Sequence, residues 1–346
     1  MTVAYQVIRL EKRRPLMISR GLSTGSSNLF VTVSDGAHAG VGECAPGTGD
    51  DDTLAGDAVG RLREFEPLLD RGAGPHELWS AMSRAGTEPA AMAALDVALW
   101  DLIGQRSGMP LHHVFGLPLP TAPTSVTVGI NPPDVVFEQS HEILERTGAR
   151  FLKVKLGSPE GHEADQAQYL AAKQAADIHR ARLRVDANGG WSLSVARHMA
   201  SWLADHGCGY VEQPLEAGRE DELPELVGGS PIPVFLDESV RTSADAARFA
   251  DRCHGVNVKL MKTGGLTEAL RLVAVARAHG LQTMIGCMGE SSVAISAAAS
   301  IGALFDHIDL DSHLNLNPDP AAGARWVDGV VLPSGAPGHG AKLSQG

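Results

Sequence analysis

The sequence predicts an α/β fold, a (β/α)8 barrel of the TIM type, set behind an N-terminal α+β capping domain. Three observations carry this. Eight short apolar or β-branched runs recur from Pro123 onward, most closing on a charged residue before a turn and a helical stretch. The closing charges are spaced like successive β/α units: Lys155 to Asp186 is 31 residues, Glu212 follows after 26, Asp237 after 25 and Lys259 after 22. The first 115 residues lack this rhythm. The alternative, an open doubly wound sheet, would want a G-x-G-x-x-G or a phosphate-binding loop after its first strand, and neither occurs.

In chain order, Val3–Arg9 and Leu29–Ser34 read as antiparallel strands with a loop over Ser19–Ser27, and helices are expected over Ala55–Leu69 and Pro89–Gly104. The barrel runs are Ser125–Ile130, Phe151–Leu156, Leu183–Asp186, Tyr210–Glu212, Val234–Asp237, Val256–Lys259, Thr283–Met288 and Ile308–Asp311. Helices between them include Glu163–Ala181, Ser194–His206, Ala244–Asp251 and Thr267–His279. A Gly-rich tail offers a short strand at Gly329–Leu332. The expected division is a cap over 1–115, a barrel over 116–320 and a segment over 321–346 that returns to the cap.

Composition narrows the function. Across 346 residues, 29 basic and 41 acidic side chains give a net charge of −12, which argues against a nucleic-acid binder. The longest apolar stretch, Ala90–Gly104, is broken by Asp96 and Asp101, so no membrane span is expected. Lys12-Arg13-Arg14 is followed by Pro15 rather than an apolar segment and makes a poor export signal. Cys44, Cys208, Cys253 and Cys287 lie far apart, and reduced thiols in a cytoplasmic protein are expected.

Barrel active sites lie at the C-terminal ends of the strands. Asp186, Glu212 and Asp237 close the third, fourth and fifth runs. Three carboxylates converging there would repel one another without a cation, and hard oxygen ligands suit Mg²⁺, with Mn²⁺ or Ca²⁺ as alternatives. Singly, each would sooner read as a helix cap or a salt-bridge partner. Lys153 and Lys155 close the second run and Lys259 the sixth, facing it across the mouth. A lysine on either side of a metal-bound carboxylate is a constellation for moving a proton at the adjacent carbon. Lys155 is then the base and Lys259 the acid, with Lys153 lowering the pKa of Lys155 by like charge. Lys262, past the strand, reads as structural. Asp309 and Asp311 share one side of the eighth strand and suit a cationic group of the substrate; a second metal site or helix capping are the alternatives.

With these residues assembled, the chain resembles the enolase superfamily, muconate-lactonising subgroup. Lys153-Val154-Lys155, Val185-Asp186-Ala187-Asn188, Glu212-Gln213-Pro214, Asp237-Glu238-Ser239 and Asn257-Val258-Lys259 match its motifs in order, and Ala94–Leu102 resembles the characteristic helix of its capping domain. The resemblance implies Mg²⁺-dependent enolisation. Asp309-Leu310-Asp311 and Gly286-Cys287-Met288 resemble the subgroup's dipeptide epimerases, in which the acidic pair holds the dipeptide's ammonium group. Arg20 resembles the loop arginine that contacts a glutamate side chain in L-Ala-D/L-Glu epimerases. Asp50–Asp52, in a neighbouring cap loop, favours a basic side chain instead. Thr127, Cys287 and Met288 are expected substrate contacts, and Glu238 an orienting partner of Lys259.

The function implied is epimerisation of a dipeptide at the carbon bearing its C-terminal carboxylate, with a homo-oligomeric assembly expected by analogy. The competitors are an N-acylamino acid racemase, and a cycloisomerase or o-succinylbenzoate synthase-type lyase. Their substrates carry no ammonium and leave Asp309 and Asp311 without a purpose. A non-catalytic metal-dependent binding protein would not need lysines on both sides of the metal.

Overall fold

The computed structural model describes residues 1–46 and 53–344. The cap begins with a three-stranded antiparallel sheet of β1 (Thr2–Ile18), β2 (Gly21–Ser34) and β3 (Ala39–Cys44). Four helices follow: α1 (Thr53–Arg63), α2 (Glu66–Asp70), α3 (Pro75–Arg84) and α4 (Pro89–Ser107), then the short α5 (Leu111–Val114). The single helix expected over Ala55–Leu69 is two, because Pro67 lies in the first turn of α2 and cannot donate the bond that would continue α1.

The loop expected over Ser19–Ser27 is also not there. These Ser- and Gly-rich residues have little strand propensity. Yet Ser27, Ser26 and Gly25 pair with Arg9, Leu10 and Glu11, and Ser23 to Gly21 pair with Leu16 to Ile18. Tertiary packing overrides propensity, since Ser23, Ser26 and Ser27 are buried. The extra residues Lys12–Pro15 form the irregularity in β1 that bends the hairpin over the barrel.

The barrel alternates β4 (Ser125–Val128), α6 (Pro133–Thr147), β5 (Phe151–Lys155), α7 (His162–His179), β6 (Arg182–Asp186), α8 (Leu193–Asp205), β7 (Val211–Glu212) and the short α9 (Leu223–Val227). It continues with β8 (Val234–Leu236), α10 (Ser243–Arg248), β9 (Gly255–Lys259), α11 (Leu260–Thr263), α12 (Leu266–Ala278), β10 (Gln282–Gly286), α13 (Ser292–Ser300) and β11 (His307–Asp309). The strands lie parallel in sequence order. Between β11 and β4 the only bridge among the described residues is Thr124 with Ile308.

Alternation along each strand sorts the interior into layers. On β6, Asp186 stands in the upper layer and Arg184 below it. Beneath the site, the Arg184 guanidinium lies 3.7 Å from the Phe151 ring centre, Tyr210 and Phe235 pack at 4.7 Å, and His307 meets both rings at 5.3 Å. Gly255 makes room for this floor: a Cβ there would stand 2.4 Å from the Phe235 ring.

Two acids fasten the cap helix α4. Asp96, fully buried, accepts the Thr267 amide at the start of α12 (3.0 Å). Asp101 accepts the amides of Val41 on β3 and His339 in the tail, both at 2.9 Å. The tail adds β12 (Ala321–Ala322), the hairpin β13 (Arg325–Val327) and β14 (Val330–Leu332), and β15 (Lys342–Leu343), which pairs with β12. All four cysteines are free, and no helix among the described residues is long and apolar enough to cross a membrane.

Candidate active site

Asp186 and Glu212 end β6 and β7, and Asp237 follows β8 directly, so three consecutive strands deliver three buried carboxylates to one point. One oxygen from each lies within 4.8 Å of the others. The donor set fits a hard dication: all oxygen, all anionic, all shielded from water. Glu212 Oε2 and Asp237 Oδ1 make no hydrogen bond among the described residues, although each faces a lysine ammonium at 2.7 Å.

The lysines surround this cluster. Lys155 Nζ lies 2.6 Å from Asp186, and Lys259 Nζ, on the facing strand β9, lies 2.7 Å from Asp237. Lys153 Nζ reaches Glu212 and Asp309 at 2.7 Å and Asp186 at 3.2 Å. Its charge is therefore answered by three carboxylates, which weakens the like-charge effect expected beside Lys155. Burial disfavours the Lys153 ammonium, but Asp309, Glu212 and Asp186 outweigh it and hold it well above the usual lysine value. Burial likewise opposes the Lys259 ammonium, and Asp237 and Glu212 overcome it, keeping Lys259 protonated. Burial raises Glu212 to about 7, helped by Asp186. It opposes ionisation of Asp186 too, but Lys155 and Lys153 keep that carboxylate charged. Lys262 caps the outer side of Asp237 and donates to the carbonyls of Val240 and Asn257 at 2.9 and 2.8 Å.

Above the carboxylates opens a cavity of about 380 Å³, within the range of small-molecule sites. Lys153, Lys155, Lys259, Asp309, Asp311, Thr127, Cys287, Met288 and Arg20 all line it. Asp309 Oδ2 is held by Lys153, and its Oδ1 has no hydrogen-bond partner among the described residues. Asp311 accepts the Thr127 amide at 2.7 Å, and burial together with Asp309 raises it to about 6. The Cys287 thiol donates to the Asp309 carbonyl (3.3 Å), and the Met288 amide donates to Glu290 (2.8 Å).

Two expectations change. Glu238 does not orient Lys259; its carboxylate takes the Arg20 guanidinium and the Asn188 amide (3.3 Å), while Lys259 is held by Asp237. Arg20 is at the tip of the β1–β2 hairpin, where Ser19 Oγ and Arg20 both donate to the Asn188 carbonyl, at 2.9 and 3.2 Å. Its charge is thus answered within the protein. Asp50–Asp52 lie outside the described residues.

Sequence reasoning gave no role to the residues that aim the carboxylates. Asn257 Nδ2 donates to Glu212 (2.7 Å), Asn188 to Asp186 (3.2 Å), and Gln213 Oε1 accepts the Asp237 amide (2.8 Å). Gly286 clears the space for Asn257, since a Cβ there would stand 2.7 Å from its side-chain amide. Asn188 and Gln213 both adopt positive φ, at 43° and 35°, a conformation that few non-glycine residues take. The signal was their place, one or two residues after a carboxylate.

Residues 2–116 match the mandelate racemase/muconate lactonizing enzyme N-terminal domain, and residues 136–346 the enolase C-terminal domain-like model. The chain belongs to the mandelate racemase/muconate lactonizing enzyme family. Within that family it is 55% identical over 346 residues to a hydrophobic dipeptide epimerase of Roseobacter litoralis, covering 99% of both chains. A hydrophobic dipeptide epimerase of Flavobacteria bacterium strain MS024-2A is 47% identical over 345 residues, covering 100% of this chain and 99% of the relative. Among solved structures, a dipeptide epimerase of Enterococcus faecalis V583 complexed with Mg and L-Leu-L-Tyr superposes with a TM-score of 0.87, at 28% identity, covering 98% of each chain.

Proposed function

We propose that this chain is a Mg²⁺-dependent epimerase of dipeptides with apolar side chains. The observation that carries the reading is the placement of Lys155 and Lys259 on facing strands, each against a different carboxylate of the same buried triad. A carbon held between them is open to proton removal on one face and delivery on the other.

Asp186, Glu212 and Asp237 would hold Mg²⁺. When bound, the ion supplies the positive charge that steadies a substrate carboxylate while negative charge builds beside it. Lys155 takes the α-proton from one face. Lys259, kept protonated by its neighbours, returns one to the other, and the roles exchange for the opposite stereoisomer. Lys153 holds Asp309 and Glu212 in place. Asp309 Oδ1 and Asp311 receive the dipeptide's ammonium group at the far side of the cavity. The hairpin tip, tied to Asn188, excludes water from above.

Two observations support apolar side chains. Arg20 already has Glu238 as its counter-ion. The cavity wall includes Leu16, Ile18, Val128, Ile143, Leu314 and Leu316. The two relatives reported above, named hydrophobic dipeptide epimerases, agree with this reading. The test is deuterium entry at the C-terminal α-carbon in D₂O with Mg²⁺. Exchange is expected with L-Ala-L-Leu and weaker exchange with L-Ala-L-Glu. No exchange with any dipeptide would overturn the function, and stronger exchange with L-Ala-L-Glu would overturn the apolar preference.

A further inference from the structure

The seam where the barrel closes is built differently from the other strand contacts. Adjacent strands elsewhere pair through two to five residue pairs, whereas β11 meets β4 at the one bridge between Thr124 and Ile308. Side chains do the remaining work. Thr124 Oγ1 accepts the Leu310 amide at 2.7 Å. Asp311 accepts the Thr127 amide at 2.7 Å, standing in for a backbone carbonyl. Arg184 Nη1 donates to Ser125 Oγ at 2.9 Å and lies 3.4 Å from the Ile308 carbonyl.

The other edge of β11 gives Asp311 no more help. Pairing with β10 stops at Gly286 with Asp309, and beyond it the links are again side chains, the Cys287 thiol donating to the Asp309 carbonyl and Ser312 Oγ bonded to the Glu290 backbone. Leu310 lies between the two acids assigned to the substrate ammonium, and its amide is anchored by the Thr124 hydroxyl. Thr124 and Leu310 are both fully buried, so no water replaces that bond if it is lost.

We propose that Thr124 is a positioning residue for ammonium recognition: its hydroxyl holds the Asp309–Asp311 segment where the two carboxylates meet a dipeptide's amino terminus. The inference rests on the dipeptide reading above. Thr124 touches no substrate and none of the residues proposed to move the proton, so it acts on binding of the ammonium end and not on proton transfer.

The experiment compares Thr124→Val with Thr124→Ser in Mg²⁺-loaded full-length protein. Valine keeps the shape and removes the acceptor; serine keeps the acceptor. Thr124→Val should raise KM for L-Ala-L-Leu about tenfold, because the freed Leu310 amide no longer fixes the two carboxylates, with kcat within about twofold. Thr124→Ser should restore the wild-type KM. The inhibition constant of N-propionyl-L-leucine, which has the same shape without the ammonium, should stay unchanged. An unaltered KM in Thr124→Val, or an equal weakening of dipeptide and inhibitor, would overturn the inference. Should Thr124→Val not fold, Thr124→Ala removes the same acceptor without the branched side chain and is read by the same two outcomes. Wild-type protein inert toward every dipeptide would bring down the functional reading, and this inference with it, before any variant is made.

Discussion

The mouth and the floor of the barrel are made from the same faces of the same strands, yet they are opposite in character. At the mouth, Asp186, Glu212 and Asp237 crowd together with Lys153, Lys155 and Lys259. Two residues lower on β6 and β9 stand Arg184 and Asn257, Tyr210 and Phe235 stand two below Glu212 and Asp237, and packed rings dominate the layer. Repulsion and desolvation at the mouth oppose folding, while packing at the floor favours it. The strand period of two lets one element serve both ends, and substitutions at the two ends should separate activity from stability.

The sharpest separation should come from Lys155→Ala, which is expected to lower deuterium exchange from one stereoisomer about 10³-fold. Near wild-type exchange from both stereoisomers would remove Lys155 from the chemistry. Metal removal comes next: dialysis against EDTA should reduce exchange about 100-fold, with Mg²⁺ restoring it, if three buried carboxylates hold the ion. At the floor, Phe235→Ala should cost about 3–5 kcal/mol in urea unfolding, because it empties a fully buried ring site, while kcat measured well below the melting temperature stays within about threefold. A large loss of kcat at full folding would show that the floor shapes the site.

A pH effect should arise away from both ends. Burial raises Asp96 to about 7, against which the Thr267 hydrogen bonds work only in part. The folded state then keeps a proton that the unfolded chain releases near pH 4. Stability should fall as pH rises from about 4 to 7 and level off above that. Asp96→Asn should flatten the change in melting temperature between pH 5 and pH 8; an unchanged slope would assign it to other groups. The smallest effect should be on selectivity. Glu238→Ala releases the Arg20 guanidinium from its counter-ion, and kcat/KM for L-Ala-L-Glu relative to L-Ala-L-Leu should rise about fivefold.

The barrel was legible because each strand is a short buried run that ends on its chemistry, and all eight expected runs contain or overlap an observed strand. The lysines and carboxylates were legible for the same reason: charges inside apolar strands call for a polar cavity. The β1–β2 hairpin was not, since no local pattern announces that Ser23, Ser26 and Ser27 are buried. Glu238 was misjudged because its partner, Arg20, is 218 residues away in the chain. Thr124 carries no charge and forms no spacing, and only its hydrogen bond gives it away, while Asn257 stood in a motif that assigned it no role.

Asp101 entered as a break in an apolar helix. In the folded protein its two oxygens take the amides of Val41 and His339, and the His339 ring, fully buried, lies 2.8 Å from the Val41 carbonyl through Nε2. That grip joins residues 238 positions apart. A contact of such long range forms late, after the loop it closes has been shortened by other structure. During synthesis the cap and most of the barrel emerge long before His339, so the cap helix must wait with a buried carboxylate unanswered by the tail. A residue made long after the cap helix therefore completes the cap.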